Sequence, residues 1–450
     1  MLAKHPLLDL LRYVCHSRHH QVSLFATAVI ALMLGSYPAA FADSPHEVWA
    51  IDQSNSPSKS YGGRIFIWEG QEIESHPERA RAQVIDLSGA VSDLCLAETG
   101  VAPVRPHMLA FNAAQTHAII SFVASGHVVF LNAQTREPLA CIRTSVGAGG
   151  ARQVHFAIPS PDQTYVAVAN QNGKLFERID TDYSTNSFVL NPAATINLFT
   201  CMTPNGMPCE LAGVRNDNAP ICPIIDSSSR FSFVTLRGGG LFVVDSKSTP
   251  MQIVAEYDRT TIHPNGCLGA EAAGKMYIDS GGGSATNLFE ADLYALPATG
   301  YSPSNPPNTP APKLVFSEDV EEADTHGAAL VHDGSFLWVA DRGRNFLFVV
   351  DTQSDVIVNR INLAGQVSAD PTPDLLFPSP QETRVYLSLR GPNPLTADPH
   401  VSTGSTPGVG VIKVKRGGRD GDFFGVAPVS NIDASGIERA DVHAMAVRRK

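Results

Sequence analysis

Two 26-residue stretches of this chain lie over one another without a gap: HFAIPSPDQTYVAVANQNGKLFERID from His155 to Asp180, and HGAALVHDGSFLWVADRGRNFLFVVD from His326 to Asp351. A third, HMLAFNAAQTHAIISFVASGHVVFLN from His107 to Asn132, fits the same frame. Each holds an apolar strand, a polar turn, a second strand rich in β-formers, a further turn and a third strand ending in Asp or Asn. Repetition in strands rather than helices predicts an all-β chain built from propeller blades, each covered by its neighbours.

Weaker copies keep the register. Pro220–Asp245 carries RFSFVTLRGGGLFVVD, the stretch from Asn265 carries KMYIDSGGG and LYAL, and the stretch from Asp374 carries PSPQETRVYLSLRG. The last copy, His443-Ala-Met-Ala-Val, stops after one strand. Its missing strands stand at the other end of the chain, where EVWAID (Glu47–Asp52) resembles FLWVAD and RIFIW (Arg64–Trp68) resembles FLFVV. Six internal units and one shared unit predict a seven-bladed β-propeller. The N-terminal strands complete its last blade, so no sheet edge stays open. Uneven spacing places insertions at 181–219, at the Pro-rich 297–312 and at 391–440. No second domain is expected.

Composition agrees with that frame. The 36 glycines and 32 prolines suit many turns, and a chain 43% hydrophobic but only 17% charged suits strands buried between blades. With 33 basic against 44 acidic side chains and no basic stripe, a nucleic-acid partner is excluded. The Gly runs at 146–150, 238–240 and 281–283 lack the helix and Lys-Ser/Thr of a phosphate loop.

Residues 1–42 read as a secretory signal. Lys4, Arg12 and Arg18 precede an apolar run from Val22 to Leu34, and Ala40-Phe41-Ala42 follows. As a helix that run reaches only about 20 Å, short of a ~30 Å hydrocarbon core. The expectation is cleavage after Ala42, a propeller over residues 43–450, and a periplasmic or secreted product without stable membrane insertion. Six cysteines remain. Cys201 and Cys209 bracket a stapled loop. Cys222 and Cys267, at matching places in adjacent units, are expected to form an inter-blade disulfide, with thiolate ligation of a metal as the alternative.

The alignment also sorts the histidines. His107, His155, His326 and His443 fall at the start of the innermost strand, a place taken in the other units by Pro220, Asn265 (with His263 nearby) and Asp374. Inner strands line a propeller's channel, so these side chains converge on one mouth of it. The second strand returns to that mouth with Asp52, Asn170, Arg237, Asp341, Arg342 and Arg390. Neutral imidazole is the commonest ligand of copper, zinc and similar ions, and outer carboxylates orient it. Four rings on one axis point to metal or substrate chemistry. A histidine copied with the repeat to bind a neighbouring blade is the plainer alternative. His46, His76, His117, His127, His332 and His400 are read as surface or turn residues.

The units, above all LWVADRGRNFLFVVDTQSDVIVNRI, resemble the YVTN-type seven-bladed propellers over nearly all of residues 43–450. The histidine placement is similar to the copper-binding propellers of nitrous-oxide reductase and thiocyanate dehydrogenase. That resemblance implies copper ligands at His107, His155, His326 and His443, with His263 a further candidate. It also implies a copper-dependent oxidoreductase acting on a small molecule and passing electrons to a periplasmic carrier. Asp341, Asp52, Arg237 and Arg390 would position an anionic substrate or act as base. The reductases add an adjacent His-His pair and a cupredoxin domain. Here the sole such pair, His19-His20, lies in the signal, so a smaller copper site is expected. Two other readings stay open. One is a lactonase-type hydrolase using calcium on Asp52, Asn170, Asp341 and Asp374; the other is a non-catalytic binding propeller.

Overall fold

Strands apolar along their whole length need cover on both faces, and the fold supplies it seven times. The computed structural model describes residues 44–281, 290–304, 307–395 and 401–450; the candidate signal segment and His400 lie outside the described residues. Within Pro45–Lys450 the strands form seven antiparallel sheets. We number the blades one to seven. Their first strands are, in order, Pro106–Phe111, Val154–Pro159, Pro220–Ile225, Gly269–Ala272, Thr325–Val331, Pro373–Pro378 and Val442–Arg449. Blade seven closes the ring as expected: Val442–Arg449 pairs with His46–Asp52, which pairs in turn with Arg64–Glu69 and Gln83–Asp86.

Alternation along each strand sends neighbouring side chains to opposite blades. In His46–Asp52, buried throughout, Val48 and Ala50 pack with Tyr386, Val409 and Val411 of blade six. Trp49 and Ile51 pack with Leu109, Ala118 and Ile120 of blade one. The same division recurs around the ring, giving seven apolar inter-blade cores. An eighth core draws on the first strands of five blades and on the residues that lead into the first strand of blade four, through Met108, Phe156, Cys222, Cys267, Leu375 and Ala444 among others. Side chains from six blades can touch one another only at the axis, so these strands are the innermost ones.

Two of the three insertions add or complete strands of a blade. Residues 181–219 add the strands Ser187–Leu190 and Ile196–Asn197 to blade two and hold the Cys201–Cys209 disulfide. Residues 391–440 are only partly an excursion, since Gly408–Lys415 and Asp420–Pro428 are the outer strands of blade six. The helix Ala90–Thr99 buries Val91 and Cys95 in the core between blades seven and one, and Cys95 is bonded to Cys141 of blade one's outer strand.

Candidate metal centre

In six of the seven innermost strands the ladder to the second strand slips by one residue at the same place. Blade one, for example, pairs Pro106 with Phe122 and then Leu109 with Ile120. The slip recurs at Val154/Phe156, Pro220/Pro223, Thr325/Ala328, Pro373/Leu376 and Val442/Ala444. An extra residue in one strand re-aims a side chain. The residues carried by these bulges include His107, His155, Ile221, His326, Asp374 and His443. In three blades a hydroxyl braces the bulge. Ser121, Thr235 and Ser388 each accept the N–H of the residue after the bulge position (Met108, Cys222 and Leu375). Each then donates to the corresponding carbonyl of the next blade, at His155, Gly266 and His443. This bracing assigns the ring position of blades three and four to Ile221 and Gly266, one residue on from Pro220 and Asn265.

The four ring histidines stand together. His107 Nε2 lies 3.2 Å from His155 Nε2, the His107 ring stacks on His443 at 4.0 Å between centroids, and His326 is 5.5 Å from His443. His107, His326 and His443 are buried; His155 keeps partial exposure. Asp374, the ring residue of blade six, faces two of them. Its Oδ2 accepts a hydrogen bond from His443 Nδ1 at 2.6 Å, and its Oδ1 stands 3.2 Å from His326 Nε2 without hydrogen-bonding geometry. The Nε2 atoms of His326 and His443 are buried and have no hydrogen-bond partner. Such an orphaned acceptor is costly unless something binds it.

Electrostatics keep the imidazoles neutral. Burial lowers His107 and His326 well below the usual histidine range, with neighbouring imidazoles, Arg390 on His107 and Arg342 on His326 acting in the same sense. Burial also takes His155 to about 3. His443 is lowered less decisively, because Asp374 opposes the burial. Burial alone would raise Asp374, but His443, His326, Arg342 and Arg390 hold it well below the carboxylate range. Neutral rings beside an ionised carboxylate are the protonation states that a cation site requires.

The other sequence candidates scatter. Arg390 belongs to the centre, donating to Asp374 Oδ2 at 2.7 Å and to both oxygens of Asp441, with its Nη1 3.2 Å from His443 Nδ1. Arg342 reaches Asp324 at 2.6 Å and Asp374 at 3.4 Å. Asp341 instead pairs with Arg344, at 2.6 and 2.9 Å. Asp52 accepts from Asn431 and from the backbone of Ser54 and Asp441, and burial pushes it up to about 6. Asn170 is spent on Glu177, Ser145 and the Gln153 N–H. Arg237, one-third exposed, pairs with Asp217 and Asn172. His263 pairs with Asp292 at 2.7 Å and joins none of the candidate ligand groups found among the described residues.

Two corrections and one addition follow. Cys222 and Cys267 are thiols, not a disulfide; both are buried, and burial raises both. His46, His117 and His127 are buried strand residues rather than surface ones, held by Tyr386, by Asn186 and by Thr99 with Ser125. Gln53, which no repeat feature marks, meets His107 Nδ1 at 2.8 Å.

No protein-family model and no curated protein sequence matches the chain. Solved structures share its fold at low identity. A protein of Lactobacillus plantarum superposes with a TM-score of 0.57 at 11% identity, over 90% of this chain and 99% of that one. The periplasmic gluconolactonase of Pseudomonas aeruginosa gives 0.54 at 13%, over 90% and 99%. A putative 6-phosphogluconolactonase of Bacteroides fragilis gives 0.53 at 10%, over 91% and 99%. These likenesses agree with the seven-bladed propeller.

Proposed function

We propose that this chain is an exported copper-dependent oxidoreductase acting on a small molecule, with its metal held at the propeller axis by His326, His443 and Asp374. One observation carries the reading: two buried imidazole Nε2 atoms without partners, beside an ionised carboxylate. Donors about 2.0–2.2 Å from one ion lie roughly 3–3.5 Å from each other. The 3.2 Å between His326 Nε2 and Asp374 Oδ1, off the line of a hydrogen bond, fits that spacing. Two imidazoles and one carboxylate suit borderline first-row ions, and copper binds such sets most strongly. Export accords with two disulfides.

Bound copper would supply a Lewis acid and a one-electron acceptor. The chain's own groups then have definite tasks. Asp374 Oδ2 fixes the His443 tautomer by accepting its Nδ1–H, which leaves the Nε2 lone pair free. Arg390, with donors spent on Asp374 and Asp441, is a positioning residue. Arg342 keeps more exposure than Arg390, 11% against 3%, and is the guanidinium placed to meet an anionic substrate. His155, the least buried ring, stands where a small molecule would enter. Electrons leaving the substrate would pass to a separate periplasmic carrier.

The structural neighbours include gluconolactonases, and a lactone hydrolase is the competing reading. With calcium it would need oxygen ligands, yet Asp52, Asn170 and Asp341 are engaged by internal hydrogen bonds. Elemental analysis of the full chain, expressed with export and with copper supplied, tests the proposal. About one tightly held copper per chain, lost in His326→Ala/His443→Ala, is the expected result. Calcium with lactone turnover would establish the hydrolase, and a metal-free protein would leave a binding propeller.

A further inference from the structure

The ring position is followed by Met108, Phe156, Leu375 and Ala444 of the axial apolar layer in four blades and by Gly327 in blade five, but by Cys222 and Cys267 in blades three and four. The two thiols therefore meet across a blade boundary, at the edge of the histidine cluster. His155 joins them: its Nδ1 lies 3.7 Å from Cys222 Sγ, and one donor atom each from His155, Cys222 and Cys267 all fall within 4.8 Å of one another. We propose that Cys222 Sγ, Cys267 Sγ and His155 Nδ1 form a second metal site, selective for a soft monovalent ion such as Cu(I). It is separate from the His326/His443/Asp374 site and does not depend on that site being catalytic.

The hydrogen-bond chain behind His155 supports this assignment. Gln53 Oε1 accepts from His107 Nδ1, which puts the His107 lone pair on Nε2. His155 Nε2 stands 3.2 Å from that atom, and the Ile221 backbone is a second hydrogen-bond partner of the ring; the tautomer with its proton on Nε2 is the one that would offer Nδ1 to the metal beside the sulfurs. A ligand histidine that donates its other N–H to a fixed acceptor is the usual way for a protein to set the ligating tautomer. Thiolates select Cu(I) over harder ions, and zinc's structural sites prefer four donors where this one has three. The two sulfurs sit among Met108, Phe156, Ile221 and Leu268 in the axial apolar layer, and His155 stands at its more exposed side.

The test is anaerobic titration of the full-length exported protein with Cu(I), with copper-edge X-ray absorption of the product. His326→Ala/His443→Ala should still bind one Cu(I), with sulfur in its first shell. Cys222→Ala/Cys267→Ala should lose one equivalent and all sulfur scattering, while keeping its thermal transition and the copper held by His326 and His443. Alanine already occupies this layer at Ala444, so the variant is expected to fold; the single variant Cys267→Ala should weaken Cu(I) binding at least tenfold and guards against a failure to fold. Loss of copper from the histidine pair alone would sink the proposed function and leave this site standing. Unchanged stoichiometry in the cysteine variants, no sulfur shell, or a Cys222–Cys267 disulfide in the protein as isolated would overturn the site.

Discussion

His443 and Asp374 belong to neighbouring blades and are 69 residues apart in sequence, yet Nδ1 of one lies 2.6 Å from Oδ2 of the other. This contact couples the closing of the ring to the state of its centre, because His443 is carried by the C-terminal strand that pairs with His46–Asp52. Replacing the carboxylate should therefore be felt in two ways. Asp374→Asn removes the charge of a ligand as well as the acceptor that orients His443, and should weaken copper binding by at least the roughly 10–100-fold typical of losing an orienting partner alone. It also leaves Arg390 and Arg342 with one less buried anion, at a cost of about 3–5 kcal/mol. Competition titration and urea unfolding measure the two. Asp52→Asn, outside the centre, should leave copper affinity unchanged.

Gly327 sits next to His326, and a Cβ there would stand 2.1 Å from the Asp374 carbonyl oxygen. Backbone rather than a flexible side chain opposes it, so Gly327→Ala must push blades five and six apart at the axis. Overpacking of this kind costs about 1–3 kcal/mol. The expected outcome is a lower urea midpoint together with weaker metal binding, since His326 and Asp374 would separate. An unchanged copper affinity would mean that the two residues do not share an ion.

The blade count was legible in the sequence because strands buried on both faces leave repeated apolar runs, and Glu47–Asp52 carries that signature as clearly as Phe336–Asp341. The ring histidines were legible for the same reason, being tied to the frame of the repeat. What the frame hides is the bulge. One extra residue decides whether Pro220 or Ile221 faces the axis, and nothing in the PICP segment reveals it. Alternation also separates neighbours: Asp52 turns toward Asn431 while Gln53 meets His107. Even cysteine numbers suggested a Cys222–Cys267 disulfide, but parity cannot distinguish a bonded pair from two thiols that fill an apolar layer. The buried His46, His117 and His127 were misplaced because their partners, such as Tyr386 for His46, are distant in sequence or in other elements.

The two disulfides should differ in worth. Cys95–Cys141 closes a separation of 46 residues and ties the helix Ala90–Thr99 to blade one, whereas Cys201–Cys209 closes only 8. Loop-closure entropy gives about 4 kcal/mol for the first and about 2.5 kcal/mol for the second. Cys95→Ala/Cys141→Ala should thus lower stability more than Cys201→Ala/Cys209→Ala. Urea unfolding of both variants checks the order, and equal losses would contradict it.

The neutral imidazoles set the acid response of the metal-free protein. All four ring histidines are lowered on folding, His155 to about 3. For a lowered histidine the folded state binds fewer protons than the unfolded one below pH 6.5. The stability it contributes is complete above that value and is lost as pH falls toward the folded pKa. Each imidazole is worth about 1.4 kcal/mol per pH unit in that window. Asp52 and Asp324, raised from 3.8 to about 6, act in the opposite sense, since their stabilisation is present below 3.8 and lost as pH rises through about 6. Glu177, Asp279 and Asp341 are raised as well, and His127 is lowered to about 4, so the two sets oppose one another in the whole chain and a single ring is read by difference. Between metal-free protein and His326→Asn, urea unfolding should show stability falling less steeply in the variant as pH drops below 6.5, by up to about one proton. Parallel profiles for the two proteins from about pH 7 to pH 5 would mean that folding does not lower His326.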